Sequence, residues 1–202
     1  AQMLYNHVRR AHPRDTRQRL KPFLPAISNN KAFLPETARR LGDPIFINKL
    51  ELSETRLMVL VEHPVEFLTE ILAQLDDPSR AAIALIFLNS ETGVPSPIAS
   101  SPALEMVNRL LGVQPADVSK AMQHLNDSLT RLISHDDGDR WIFRHPTVTD
   151  AFAELVSGSP ELIELYIHGA KLDRLIREVV CGAMKIERAR LRVPISLYPS
   201  LI

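Results

Sequence analysis

The residue best placed to do chemistry is His145, within the run Arg140-Trp-Ile-Phe-Arg-His-Pro-Thr-Val-Thr-Asp-Ala-Phe-Ala-Glu-Leu-Val156. Residues 140–144 alternate, with Trp141 and Phe143 on one side and Arg140, Ile142 and Arg144 on the other, as a strand requires. Beyond the His-Pro step, Thr147 and Asp150 have the spacing of a capping box, in which each side chain accepts from the other's backbone N–H. An amphipathic helix is expected to follow. His145 then stands at a helix mouth, where unpaired N–H groups and the helix dipole favour a nearby anion. The plainer alternative is a hairpin-end histidine hydrogen-bonded to backbone.

Other candidates are weaker. The chain has seven histidines, none of them at dense metal-ligand spacing with another His, Cys or carboxylate. His63 and His124 read as helix-end or surface residues. Asp136, Asp137 and Asp139 around Gly138 lack the length and distal glutamate of a calcium loop, so a hairpin turn is expected there. Cys181 falls in an apolar stripe rather than an activating basic pocket. There is no Gly-x-Ser-x-Gly elbow, no Gly-x-x-x-x-Gly-Lys phosphate loop and no Gly-x-Gly-x-x-Gly. The chain by itself carries no catalytic constellation.

The elements that must position His145 follow from the rest of the sequence. At 202 residues and 45% hydrophobic content the chain can bury a large core, and its formal net charge of +0 offers no global attraction for nucleic acid. A single cysteine suits a reducing compartment, and a cytoplasmic location with no membrane partner is expected. The apolar pattern at Met3, Leu4 and Val8 predicts a helix, and both ends read as cut from a longer polypeptide. A basic stretch follows, Arg9, Arg10, Arg14, Arg17, Arg19 and Lys21, which reads as a solvated helical surface. Pro35 at a first-turn position opens a short helix closed by Gly42, and amphipathic segments cover residues 51–61 and 64–75.

Pro78-Ser79 caps an Ala-, Ile- and Leu-rich helix ending near Leu88, and the prolines between Asn89 and Pro102 predict an irregular loop. Helices over 103–111, closed by Gly112, and 115–125 precede a hairpin formed by 129–135 and 140–145. Three helices and a hairpin is the order of a winged helix. In such a domain the third helix normally reads DNA, but here it offers only Asp117, Lys120, Gln123 and His124, a nearly neutral face. Ser159-Pro160 opens one more helix. Leu172, Leu175, Ile176 and Val179 then form an apolar stripe predicting another around Cys181.

Four segments occur in an order that resembles a known family: Leu4-Tyr-Asn-His7, Phe33-Leu-Pro-Glu-Thr-Ala-Arg-Arg-Leu41, Pro64-Val-Glu-Phe-Leu68, and Phe143-Arg-His-Pro-Thr147 with Asp150-Ala-Phe152. Over residues 1 to about 170 the chain resembles the C-terminal half of the novel STAND NTPases, signalling ATPases related to NACHT and apoptotic ATPases. The Phe-x-His-Pro-Ser/Thr signature is the most specific part. The family's Pro-Arg pair is here Pro35-Glu36, with Arg39 and Arg40 following, and this departure leaves the arginine role open.

The resemblance implies a mainly α fold: a helical lid (residues 1–63), a winged helix of three helices plus a β-hairpin (64–158), and the start of a helical C-terminal region (159–202). It implies that His145 touches the phosphates of ADP in the resting state and that Pro35 lies near the adenine. ATP or ADP with Mg would be held mainly by a P-loop ATPase core in the same polypeptide, so the chain is not an enzyme on its own. Nucleotide exchange would release the His145 contact and permit homo-oligomerisation; by family analogy such switches serve prokaryotic antiviral defence. The alternatives are a winged-helix DNA-binding regulatory module using the basic stretch, and a helical protein–protein adaptor using the segment after Pro160.

Overall fold

Proline sets the grammar of this fold. Among the described residues, seven helices begin on a proline at their first position, where the missing N–H costs nothing and the fixed φ suits the helix. The computed structural model describes residues 2–181 and 191–201 and is mainly helical with a small sheet. It divides into two compact units, residues 1–74 and 75–202. Among the described residues no helix is long and apolar enough to cross a membrane.

The first unit contains α1 (Gln2–Ala11), α2 (Arg14–Leu20), a 3-10 turn (Lys21–Phe23), α3 (Leu24–Asn29), α4 (Pro35–Leu41), α5 (Pro44–Ile47), α6 (Glu54–Glu62) and α7 (Pro64–Ala73). The expected helices at 3–10, 35–41, 51–61 and 64–75 are present, with ends shifted by a few residues. Their buried faces include Leu4, Val8, Leu41, Leu57, Leu60, Phe67 and Leu68. Gly42 closes α4, but not in the left-handed conformation: its φ is −86°. Glycine is required there by proximity, because a Cβ would sit 3.0 Å from His7 Cβ and 3.1 Å from His7 O. That contact, with His12 Nε2 2.7 Å from Leu41 O, packs α1 on α4. Two of the four segments that carry the resemblance therefore meet in space.

The second unit is built on α8 (Asp77–Leu88), whose residues Ala81–Leu88 are all buried. A helix apolar on every side must be surrounded, and α9 (Pro102–Leu111), α10 (Pro115–His124) and α11 (Pro146–Ser157) all pack on it. The cap of α8 is Asp76, which accepts from Ser79 N at 3.1 Å; Ser79, expected as the cap, lies inside the first turn and is buried. Gly112 does close α9 in the left-handed region, at φ 66°.

Three strands make one antiparallel sheet in the order β1 (Val94–Ser96), β3 (Gly138–Phe143), β2 (Thr130–His135). The hairpin is present, with Thr130 opposite Phe143 and His135 opposite Gly138, so Asp136 and Asp137 alone form the turn. Strand β1 corrects the expectation of an irregular loop. Val94 pairs with Trp141 and Pro95 with Arg140, on the edge of the sheet, where a proline is tolerated. Trp141 is buried while Phe143 is half-buried.

Helix α12 (Pro160–Gly169) begins at the expected Ser159 cap. The apolar stripe at 172–179 does not form an inward face. Helix α13 (Leu172–Glu178) leaves Leu172 and Ile176 exposed, at 70% and 72%, and instead buries Arg174 at 2%. No helix surrounds Cys181 on its N-terminal side: α13 ends at Glu178, and β4 (Val179–Cys181), with Cys181 exposed, pairs in parallel with β5 (Leu191–Val193). The rest of the helix expected there falls on 182–190, outside the described residues. A 3-10 segment covers Ile195–Leu201.

Candidate functional site

Strand β3 ends at Phe143, and Arg144 N donates to Leu129 O at 3.0 Å, which fixes the exit from the hairpin. His145 then precedes Pro146. A residue before proline is held out of the helical region, and His145 is extended, at φ −145° and ψ 143°. It is therefore the cap of α11. Its Nδ1 lies 3.2 Å from Thr147 N and 2.9 Å from Thr147 Oγ1. The capping box expected at Thr147 and Asp150 is thus replaced by a histidine cap two residues earlier, since Pro146 already occupies the first helical position.

This cap has a chemical consequence. A backbone N–H can only donate, so Nδ1 accepts and the ring proton of the neutral imidazole sits on Nε2. Among the described residues Nε2 has no hydrogen-bond partner, and His145 is half-buried. The ring lines a cavity of about 390 Å³ together with Ser90, Glu91, Phe143, Thr149 and Glu178.

Two carboxylates on that wall would ordinarily repel an anion, but each is paired. Glu91 accepts from Arg177, and Glu178 Oε2 accepts from Arg174 Nε at 3.0 Å and Tyr166 OH at 2.7 Å. The arrangement offers an anion one oriented N–H donor without unpaired opposing charge. Sequence reasoning missed this pairing, because it joins the end of α8 to α13 across 86 residues between Glu91 and Arg177.

Pro35 lies in the first unit as the exposed first residue of α4. Arg39 and Arg40, whose role the sequence left open, converge on Glu36: Arg39 reaches both carboxylate oxygens at 2.7 and 2.8 Å, and Arg40 Nε reaches Oε1 at 3.0 Å. Arg40 is almost fully buried, and burial pulls its pKa below the ordinary guanidinium value while Glu36 opposes the shift. Glu36, standing where the resembled family has arginine, thus serves as an internal counter-ion for the two arginines that follow it. Among the described residues no three His, Cys, Asp or Glu side chains converge as a metal site requires.

The exposed face of α10 carries Asp117, Lys120, Gln123 and His124, with Lys120 3.4 Å from Asp117. On the hairpin, Arg140 pairs with Asp137 at 2.5 Å and Arg144 with Asp127 at 2.6 Å. These cations are already engaged within the protein. Comparison with protein families, curated proteins and solved structures found no match for the chain.

Proposed function

We propose that the chain is the lid and winged-helix portion of a STAND-type signalling ATPase, and that His145 is its phosphate sensor. The observation that carries the proposal is the committed imidazole. With Nδ1 spent on the cap of α11, Nε2–H is left as a donor on the wall of a cavity whose carboxylates are neutralised. The order α8, β1, α9, α10, β2, β3, with β3 between the other two strands, supports reading the second unit as a winged helix. Pro35, exposed at the start of α4, is available for the adenine contact that the resemblance assigns to it.

The nucleotide, ATP or ADP with Mg, would be bound mainly by a P-loop core in the same polypeptide, and that core would supply any phosphoryl chemistry. This chain would contribute one hydrogen bond to the resting-state phosphate. A hydrogen bond to a charged group is worth about 1.5–3 kcal/mol, roughly tenfold or more in retention. Exchange would remove that contact, free the winged helix and permit oligomerisation in a cytoplasmic switch, with antiviral defence as its biological setting. The DNA-binding alternative finds little support on the helix that would read the bases, since the exposed face of α10 carries the single cation Lys120, set against Asp117.

The test is His145→Ser in the full-length parent protein. Serine retains a cap but loses the distal donor. Faster ADP release, by about tenfold, and raised basal activity are expected. Unchanged ADP retention with an intact fold rules out the sensor role.

A further inference from the structure

The first 35 residues hold seven lysines and arginines but one carboxylate, Asp15, inside a chain whose total charge is zero. Four of these cations converge. Arg9 on α1, Arg14 and Arg17 on α2, and Lys21 just after it line a cavity of about 170 Å³, with Tyr5 and Leu24 as its less polar wall. Elsewhere arginines such as Arg39, Arg40, Arg56, Arg140, Arg144, Arg174 and Arg177 are held in ion pairs. These four cations have no ion pair or side-chain hydrogen bond among the described residues, and Asp15, exposed, makes none with them either.

Arg17 sharpens the point. Its Nε is shielded from solvent and has no hydrogen-bond partner. A buried donor of a charged group left unpaired is destabilising, and such groups in native proteins usually find an acceptor on the protein, in ordered water or in a bound ion. Like charges gathered around one hollow repel one another, and a bound anion relieves that repulsion. A single carboxylate would leave most of that charge uncompensated, whereas phosphoryl oxygens suit three guanidinium forks and one ammonium.

We propose that this cavity, in the first unit and independent of His145, binds a compact, multiply charged phosphorylated small molecule. Arg14, Arg17 and Lys21 form a short stripe on α2 and its continuation, Arg9 joins them from α1 around the same hollow, and Tyr5 is the one aromatic side chain on its wall. A tracked nucleic-acid backbone would call for a groove with successive stacking platforms.

The experiment is calorimetric titration of the intact chain with pyrophosphate, at low and at physiological salt. Saturable one-to-one binding is expected, weakening as salt rises. Arg14→Ala with Lys21→Ala, both at exposed positions, should weaken it at least about tenfold while far-UV circular dichroism stays unchanged. Arg10→Ala with Arg19→Ala removes the same charge from the same stretch but outside the cavity, and should change affinity by less than about threefold. Absence of saturable binding overturns the proposal, as does an equal loss in both double variants. So does a single-stranded oligonucleotide that binds the same residues and is not displaced by pyrophosphate.

Discussion

Arg174 is the most consequential buried group outside the candidate site, and its removal has a calculable outcome. The guanidinium stacks 4.8 Å from the Phe87 ring centre and 5.2 Å from that of Tyr166. Its Nε donates to Glu178, its Nη1 donates to Phe87 O, and its Nη2 is buried without a partner. Breaking a buried ion pair by deleting one member costs about 3–5 kcal/mol, and the two ring contacts add up to about 2 kcal/mol each where desolvated. Against this, deletion removes an unsatisfied donor, which returns about 1–3 kcal/mol, and Glu178 keeps the Tyr166 hydroxyl. Arg174→Ala should therefore be clearly destabilising, by about 4 kcal/mol at the middle of these ranges. Arg174→Met also leaves Glu178 without its cation but refills most of the volume, and should lose less than the alanine variant. Since Leu172 and Ile176 face solvent, α13 otherwise depends on polar contacts, among them Arg177 with Glu91 and Glu178 with the Tyr166 hydroxyl. Urea denaturation followed by circular dichroism gives the stability, and hydrogen exchange over 172–181 reports whether α13 detaches first. If the alanine variant is as stable as the parent, or exchange over α13 is unchanged, the buried cation is not what fastens this helix.

The cap at His145 separates from its proposed chemistry. His145→Ala leaves Thr147 N without its acceptor and should cost about 0.5–2 kcal/mol in chemical denaturation, while His145→Ser should stay within a few tenths. Glycines 93 and 112 both have positive φ, but a Cβ at Gly93 would lie 3.0 Å from Trp141 O whereas one at Gly112 meets nothing. Gly112→Ala should cost about 1–2 kcal/mol from backbone strain alone and Gly93→Ala distinctly more, so equal thermal shifts would contradict the role of close packing on β3. Asp137, hydrogen-bonded and attracted by Arg140, has its pKa lowered. Its contribution is fully present above the ordinary carboxylate value of about 3.9 and is lost as pH falls through the lower folded value. The stability gap between the parent and Asp137→Asn should accordingly close in acid, and a gap that widens there contradicts the ion pair.

What the sequence made legible was mostly what local chemistry determines. Prolines at helix starts, the Asp-Gly turn signal within 136–139 and the left-handed Gly112 each act within a few residues, so the hairpin and most helices could be read directly, although the turn itself is shorter, at Asp136 and Asp137 alone. What it hid depended on distant partners. Strand β1 looked irregular because Pro95 and Pro97 forbid a central strand, yet an edge facing Trp141 needs no donor from Pro95. The face of α13 was read from its leucines and isoleucine, but Arg174 is drawn inward by two aromatic faces and a carboxylate that no local pattern reveals.

His145 lies between these cases. Its place at a helix start was visible in the sequence, but the cap was misplaced, although the decisive signal was adjacent: Pro146 keeps the residue before it extended and so makes that residue the cap. This position demands a side chain with an acceptor near the backbone. Serine or aspartate would meet that demand and end there, while asparagine would carry its donor closer to the chain. Imidazole meets it with Nδ1 and, by the same bond, fixes a donor at the far edge of a rigid ring. The structural role therefore sets the tautomer that the proposed sensing role needs. Loss of the cap and loss of the phosphate contact should then coincide in His145→Ala and come apart in His145→Ser.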